Sequence, residues 1–173
     1  MRGYKEPRSF NFTRIHETES SFYLMHVIIF TSEAVKDQQL RTLEDDYLKR
    51  MRGWLPLSLV TKQSSRSDRE QSVRASLPQT SRSGYLILLD ETGLPKTSRE
   101  FSTLLERSMQ MGTRHTIFAI GPANGWSPSQ RAEADLLLSL SSLTFPHQLV
   151  RLLLIEQIYR GMTMILGKPY HKG

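Results

Sequence analysis

His115-Thr116-Ile117-Phe118-Ala119-Ile120-Gly121-Pro122-Ala123-Asn124-Gly125-Trp126-Ser127-Pro128-Ser129-Gln130 decides the fold class of this 173-residue chain. Its first six residues form a short, mostly apolar run rich in β-branched side chains, and Gly, Pro and Asn follow at once. That is the pattern of a buried strand entering a turn. Ser127-Pro128-Ser129-Gln130 then opens a helix, with a serine N-cap, proline at the first helical position and glutamine at the third. This helix is predicted to run to about Leu138. The same alternation continues outward. Upstream, strands are predicted over 24–31, 55–61 and 85–89. A helix is predicted over 34–52, where Val35, Leu40, Leu43, Tyr47, Leu48 and Met51 recur at a helical period. Residues 62–84 read as a Ser- and Arg-rich loop or loose helix, and 90–95 as a turn. Thr97 with Glu100 forms a capping box that starts a helix ending near Met111. Downstream, a short fifth strand is predicted over 139–142 and a last helix from Pro146 to about Leu166. Strands alternating with helices predict an α/β fold, a mostly parallel sheet flanked by helices on both faces.

Composition agrees with one domain large enough to bury a core, since 38% of residues are hydrophobic and 23% charged. The chain has no cysteine, which excludes disulfides, thiolate metal sites and a cysteine nucleophile. A reducing, cytoplasmic setting is expected. No uncharged apolar stretch is long enough to span a bilayer, because the richest one carries Arg151, Glu156 and Arg160. No membrane partner is expected. Residues 1–24 are polar and lack apolar periodicity, and Glu6, Glu17 and Glu19 argue against a transit peptide. They read as a disordered extension or a mis-assigned start, with 25–173 as a single domain. The net charge is +6, and the segment 49–82 carries all of it, with eight basic residues and two acidic ones. Such a local excess points to a polyanion, because Lys and Arg that neutralise phosphates release counterions.

Ligands of open parallel sheets bind at the carboxyl ends of strands. Two such ends stand out, Leu88-Leu89-Asp90-Glu91-Thr92-Gly93 and Ile120-Gly121-Pro122-Ala123-Asn124-Gly125. Neither has GxGxxG spacing or a P-loop lysine, and by itself the second reads as a strand-to-helix turn. The first strand leads into Phe30-Thr31-Ser32, which supplies no dinucleotide fingerprint. The histidines have no metal-ligand spacing, so no metal is expected. His147 follows Pro146 in the first turn of the last helix. The positive end of a helix disfavours an imidazolium, so the ring there is either a proton acceptor or a helix cap. Arg151 and Arg160 are nine residues apart, on nearly opposite faces of one helix.

The run Ser139-Leu140-Ser141-Ser142-Leu143-Thr144-Phe145-Pro146-His147-Gln148-Leu149-Val150-Arg151, followed by Glu156-Gln157-Ile158-Tyr159-Arg160 and Pro169-Tyr170-His171, closely resembles a bacterial methyltransferase family. It is the 23S rRNA (pseudouridine-N3)-methyltransferase H family of the SPOUT superfamily. Leu89-Asp90 with Gly93, Thr97-Ser98, Glu100-Phe101 and Ile120-Gly121 with Gly125 agree in order. The resemblance runs from about Met25 to the C-terminus and is dense from Tyr85 onward. It implies a SPOUT fold with a deep C-terminal trefoil knot, a homodimer, and S-adenosyl-L-methionine as methyl donor. The acceptor it implies is N3 of a pseudouridine in large-subunit ribosomal RNA, with the assembled ribosome as the expected substrate. Carried over by position, the cofactor site comprises Leu89, Gly121, Pro122, Ser141, Ser142, Leu143, Thr144, Phe145 and Pro146. His147, Tyr170 and His171 are the expected catalytic residues. Arg66, Arg69, Arg74, Arg151 and Arg160 are the expected RNA contacts. The chain departs from the family at Pro122, where a second glycine is usual, and in Gly93-Leu94-Pro95-Lys96. Because proline fixes φ and removes a donor, the alternative is a non-catalytic SPOUT-fold ribosome- or RNA-binding protein.

Overall fold

The computed structural model describes residues 25–62 and 71–170. Five strands form one parallel sheet in the order β2-β1-β4-β3-β5: β1 His26–Thr31, β2 Leu57–Thr61, β3 Tyr85–Pro95, β4 His115–Ile120 and β5 Leu136–Ser139. The helices are α1 Gln38–Met51, the single turn α2 Val73–Ser76, α3 Ser98–Gln110, α4 Pro128–Ala132 and α5 His147–Ile165. Strand periodicity divides the core in two. Val27, Ile29, Ile87, Phe118 and Ile120 face α1, α3 and α5, whereas Ile28, Phe30, Leu86, Leu88, Ile117 and Ala119 face Val73, Leu77 and Trp126 on the other side. The α/β class expected from the alternation is therefore present.

Local chemistry sets most boundaries. Asp37 caps α1, accepting from Gln39 N at 2.7 Å and Leu40 N at 3.2 Å, so the helix begins later than its apolar pattern suggested. Both capping boxes form, at Thr97 with Glu100 and at Ser127 with Gln130.

Three expectations are corrected. The third strand does not end at Leu89. It loops out over Asp90–Gly93 and re-pairs, Leu94 with Leu138 and Pro95 with Ser139. Gly93 permits this, because a Cβ there would lie 2.6 Å from backbone atoms of Leu138. The helix opened by Ser127 stops at Ala132 rather than near Leu138. Leu136, Leu137 and Leu138 instead pair with Ile87, Leu88 and Leu89, so the fifth strand lies earlier than 139–142. A short apolar run suits either state, and the open edge of β3 decides it. Within 62–84, residues 73–76 form a helical turn and 79–81 a 3₁₀ turn.

Helix α5 is apolar nearly all round because it lies between α1 and α3 against the sheet. Leu154, Ile155, Ile158 and Met162 are fully buried there. Among the described residues no helix is long and apolar enough to cross a membrane.

Candidate active site

The carboxyl ends of β3, β4 and β5 open into one cavity of about 380 Å³. Its walls are the β3 loop-out at Leu89–Glu91, the 120–126 loop, the 138–145 segment, and His147 and Val150 from the first turn of α5. The size falls in the range of small-molecule sites, about 300–1,000 Å³. Loop shape is set locally: Ser139 Oγ donates to Ser141 O at 2.9 Å, and Leu143 N donates to Ser141 Oγ at 2.9 Å. Pro146 is the N-cap of α5, and its carbonyl accepts from Leu149 N at 2.9 Å.

The structure brings Leu89, Gly121, Pro122, Ser141, Ser142, Leu143, Thr144 and Phe145 to this single cavity, with His147 on its wall. Pro146 does not line it. Three further residues escaped the sequence reading. Trp126 donates from Nε1 to Leu89 O at 2.9 Å and is buried against Gly121, where a Cβ would sit 2.8 Å from Trp126 Cε2. Asp90, with its side chain only 2% exposed, lies 2.8 Å from Arg131 Nε. Burial pushes the Asp90 carboxyl up. Hydrogen bonds from Thr92 Oγ1 at 2.6 Å and Thr92 N at 2.9 Å, together with the Arg131 charge, outweigh burial and hold it below the usual aspartate range. The position of Asp90 at a strand end was a visible signal. Nothing in the sequence marked Arg131.

Other expected residues lie elsewhere. Tyr170 does not line the cavity. Its hydroxyl donates to Glu156 Oε1 at 3.2 Å and lies 3.4 Å from Tyr47 Oη, and its ring meets Tyr159 edge-on. The Tyr47 hydrogen bond, burial and the Glu156 charge all raise the Tyr170 pKa, so its hydroxyl stays protonated. Arg160 pairs with Glu156 at 2.6 Å and stacks over Tyr170. Where a phosphate contact was expected of Arg151, the structure shows an internal partner: Nε and Nη2 donate to Glu44 Oε1 and Oε2 at 2.8 and 2.5 Å, both side chains buried. Arg74 is likewise engaged. It donates to Arg82 O and Gly84 O at 2.8 and 2.9 Å and pairs with Asp135 at 2.8 Å, tying the 72–84 segment to the sheet. Arg66, Arg69 and His171 lie outside the described residues, as do residues 1–24. Among the described residues no three His, Asp or Glu side chains gather to hold a metal ion.

An all-parallel α/β sheet with a cavity walled by loops at three strand ends defines the class as an α/β protein whose candidate small-molecule site is built from loops. The chain belongs to the SPOUT methyltransferase family: the family model described as "Predicted SPOUT methyltransferase" matches residues 25–171. It is thus a methyltransferase and draws on a methyl donor. Its relatives include the Ribosomal RNA large subunit methyltransferase H of Geobacter sp. (strain M21), 36% identical over 141 residues that cover 79% of this chain and 92% of that protein. Another is the protein of the same name from Flavobacterium johnsoniae, 35% identical over 155 residues that cover 85% and 99%. A third, from Caldicellulosiruptor bescii, is 33% identical over 152 residues that cover 83% and 98%.

Proposed function

We propose that this chain is an S-adenosyl-L-methionine-dependent rRNA methyltransferase. It acts on N3 of a pseudouridine in 23S rRNA of the assembled ribosome, as a homodimer in the cytoplasm. One observation carries the reading: residue runs far apart in sequence, each matched to the cofactor motifs of the family, wall one cavity at the strand ends. The chemistry of that cavity fits the donor, whose sulfonium and ammonium are cationic and whose carboxylate is anionic. Asp90 and Glu91 on the β3 loop-out supply negative charge, and Arg131 supplies positive charge. The deep trefoil knot belongs to this proposal, with the 120–126 and 138–145 segments as its cofactor-holding loops. Leu143, 70% exposed, with Leu149 and Leu153 nearby in sequence on α5, supplies apolar surface for a second copy of the chain.

When bound, the donor supplies an activated methyl group. The residues of this chain shape the pocket and handle the acceptor proton. An imide-type nitrogen must lose its proton to attack in line, which requires positioning and a base within hydrogen-bond reach. His147, on the cavity wall, is proposed as that base. Tyr170 is held against Glu156 and Tyr47 of its own protomer, away from this cavity. In this reading the Tyr170-His171 tail serves the site of the other protomer. Phosphate contact is assigned to Arg66 and Arg69, since Arg74 and Arg151 have internal partners.

The test is calorimetric titration with S-adenosylmethionine, followed by methyl transfer to ribosomes lacking the modification. One-site binding and label in 23S rRNA at a pseudouridine are expected. A folded protein that binds no donor yet retains ribosome affinity would instead favour the non-catalytic RNA-binding reading.

A further inference from the structure

We infer that Arg131 is the anchor for the α-carboxylate at the amino-acid end of the methyl donor. The inference rests on the S-adenosylmethionine reading above and adds a residue and a polarity to it. Arg131 is the sole lysine or arginine among the described residues lining the cavity. It projects from α4, directly across the β3 loop-out from which Asp90 and Glu91 come. Its Nε edge lies 2.8 Å from Asp90 Oδ2. Asp90 is itself fixed, because its other oxygen accepts from both Thr92 Oγ1 and Thr92 N. A buried carboxylate that loses its hydration to hold one edge of a guanidinium is a positioning device.

That edge is the inner one. The Arg131 side chain remains 37% exposed, and no described residue accepts a hydrogen bond from Nη1 or Nη2. The outward pair of N–H groups has the planar fork that matches a carboxylate. The two carboxyl side chains of the described lining, Asp90 and Glu91, would repel an anion and suit the ammonium and sulfonium. Charge signs therefore orient the donor, with its carboxylate at α4 and its cations toward the β3 loop-out. Arg131 is a binding residue, and Asp90 acts through it.

The experiment compares two stable ligands on the full chain by calorimetry. S-adenosylhomocysteine carries the amino-acid end, and 5′-methylthioadenosine has the same adenosine and a thioether but lacks that end. Arg131→Gln is expected to weaken S-adenosylhomocysteine roughly 10- to 100-fold, the scale of a lost charge-assisted hydrogen bond. It is expected to leave methylthioadenosine within about twofold, since that ligand offers no group to the fork. Arg131→Lys, which keeps the charge and loses the fork, is expected to fall between them. Equal weakening of both ligands, or of neither, overturns the assignment while leaving the donor reading intact. If the unaltered protein binds neither ligand, the donor reading fails and this inference falls with it.

Discussion

Arg151→Met tests whether the ion pair between α1 and α5 is a closed internal unit. Two parallel hydrogen bonds, at 2.8 and 2.5 Å, join Arg151 to Glu44, and the side chains are 8% and 2% exposed. At that burial the Coulomb attraction and the desolvation of both ions are each large, and they nearly cancel. Removing one partner breaks the cancellation. The Glu44 carboxylate is then buried without counter-charge, at a cost of about 3–5 kcal/mol. That is a large share of a stability of about 5–15 kcal/mol. With a urea m-value of about 1–3 kcal/mol/M, the midpoint should fall by roughly 1 M or more.

The double variant Glu44→Leu/Arg151→Met removes both ions and fills the space with apolar atoms. It should lie within about 1 kcal/mol of the parent or above it. Urea unfolding followed by circular dichroism gives both numbers, at fixed protomer concentration because self-association raises apparent stability. The double variant should also retain methyl transfer to ribosomes. A midpoint shift of only a few tenths molar in Arg151→Met, or a double variant as unstable as the summed singles, would refute the reasoning. Loss of ribosome affinity in a fully folded double variant would return Arg151 to the RNA surface.

The remaining predictions concern the site loops and the amino ends of the strands. Gly93→Ala should cost about 1–3 kcal/mol by overpacking, measured as a lower melting temperature, because its Cβ would meet rigid backbone of Leu138 at 2.6 Å. Gly121→Ala meets the Trp126 ring at 2.8 Å instead, so it should reduce donor affinity and quench or shift indole fluorescence as that ring moves. His26 bonds Ser58 Oγ at 2.8 Å, and burial followed by the neighbouring His115 holds its pKa below 6.5. The unfolded chain therefore binds more protons in the window between the lowered value and 6.5. Stability should be full above that window and decline as pH falls through it. Urea midpoints from about pH 8 to about pH 5 should show this slope, and His26→Gln should flatten it. Pro122→Gly should lower stability by about 0.4–1 kcal/mol through unfolded-chain entropy and leave donor affinity unimproved by calorimetry.

What was legible in the sequence was what acts over a few residues. The apolar run at His115–Ile120 and the caps at Thr97 and Ser127 stand where the pattern put them, because a strand's period and a cap's hydrogen bond need only near neighbours. Leu136–Leu138 was read as helix because its strand character comes from Ile87–Leu89, which supply the open edge. The loop-out at Asp90–Gly93 looked like a turn ending β3, and only re-pairing with β5 shows that the strand resumes. The Arg151–Glu44 pair joins residues 107 apart, so no spacing rule reaches it, and Arg151 looked like surface charge. The grouping of Leu89, Gly121 and the 141–145 run around one candidate cavity was legible through motif order rather than physics. Loops that bind through shape carry little chemistry in their side chains, so nothing in Ser141-Ser142-Leu143-Thr144 alone names a ligand.

Pro122 shows how a departure from a family pattern is weighed against turn geometry. Read alone, proline for glycine removes conformational freedom and a donor. The turn makes two demands at this point, and neither falls on residue 122. Absence of a Cβ is required at Gly121, where the Trp126 ring occupies the space. A left-handed conformation is required at Gly125, with φ of 71°. Pro122 contributes its carbonyl, which accepts from Gly125 N at 2.9 Å. A ring that fixes φ restricts the loop at this position and lowers the entropy of the unfolded chain. The turn geometry therefore argues for a preorganised cavity wall, and it weakens the ground on which the non-catalytic alternative stood.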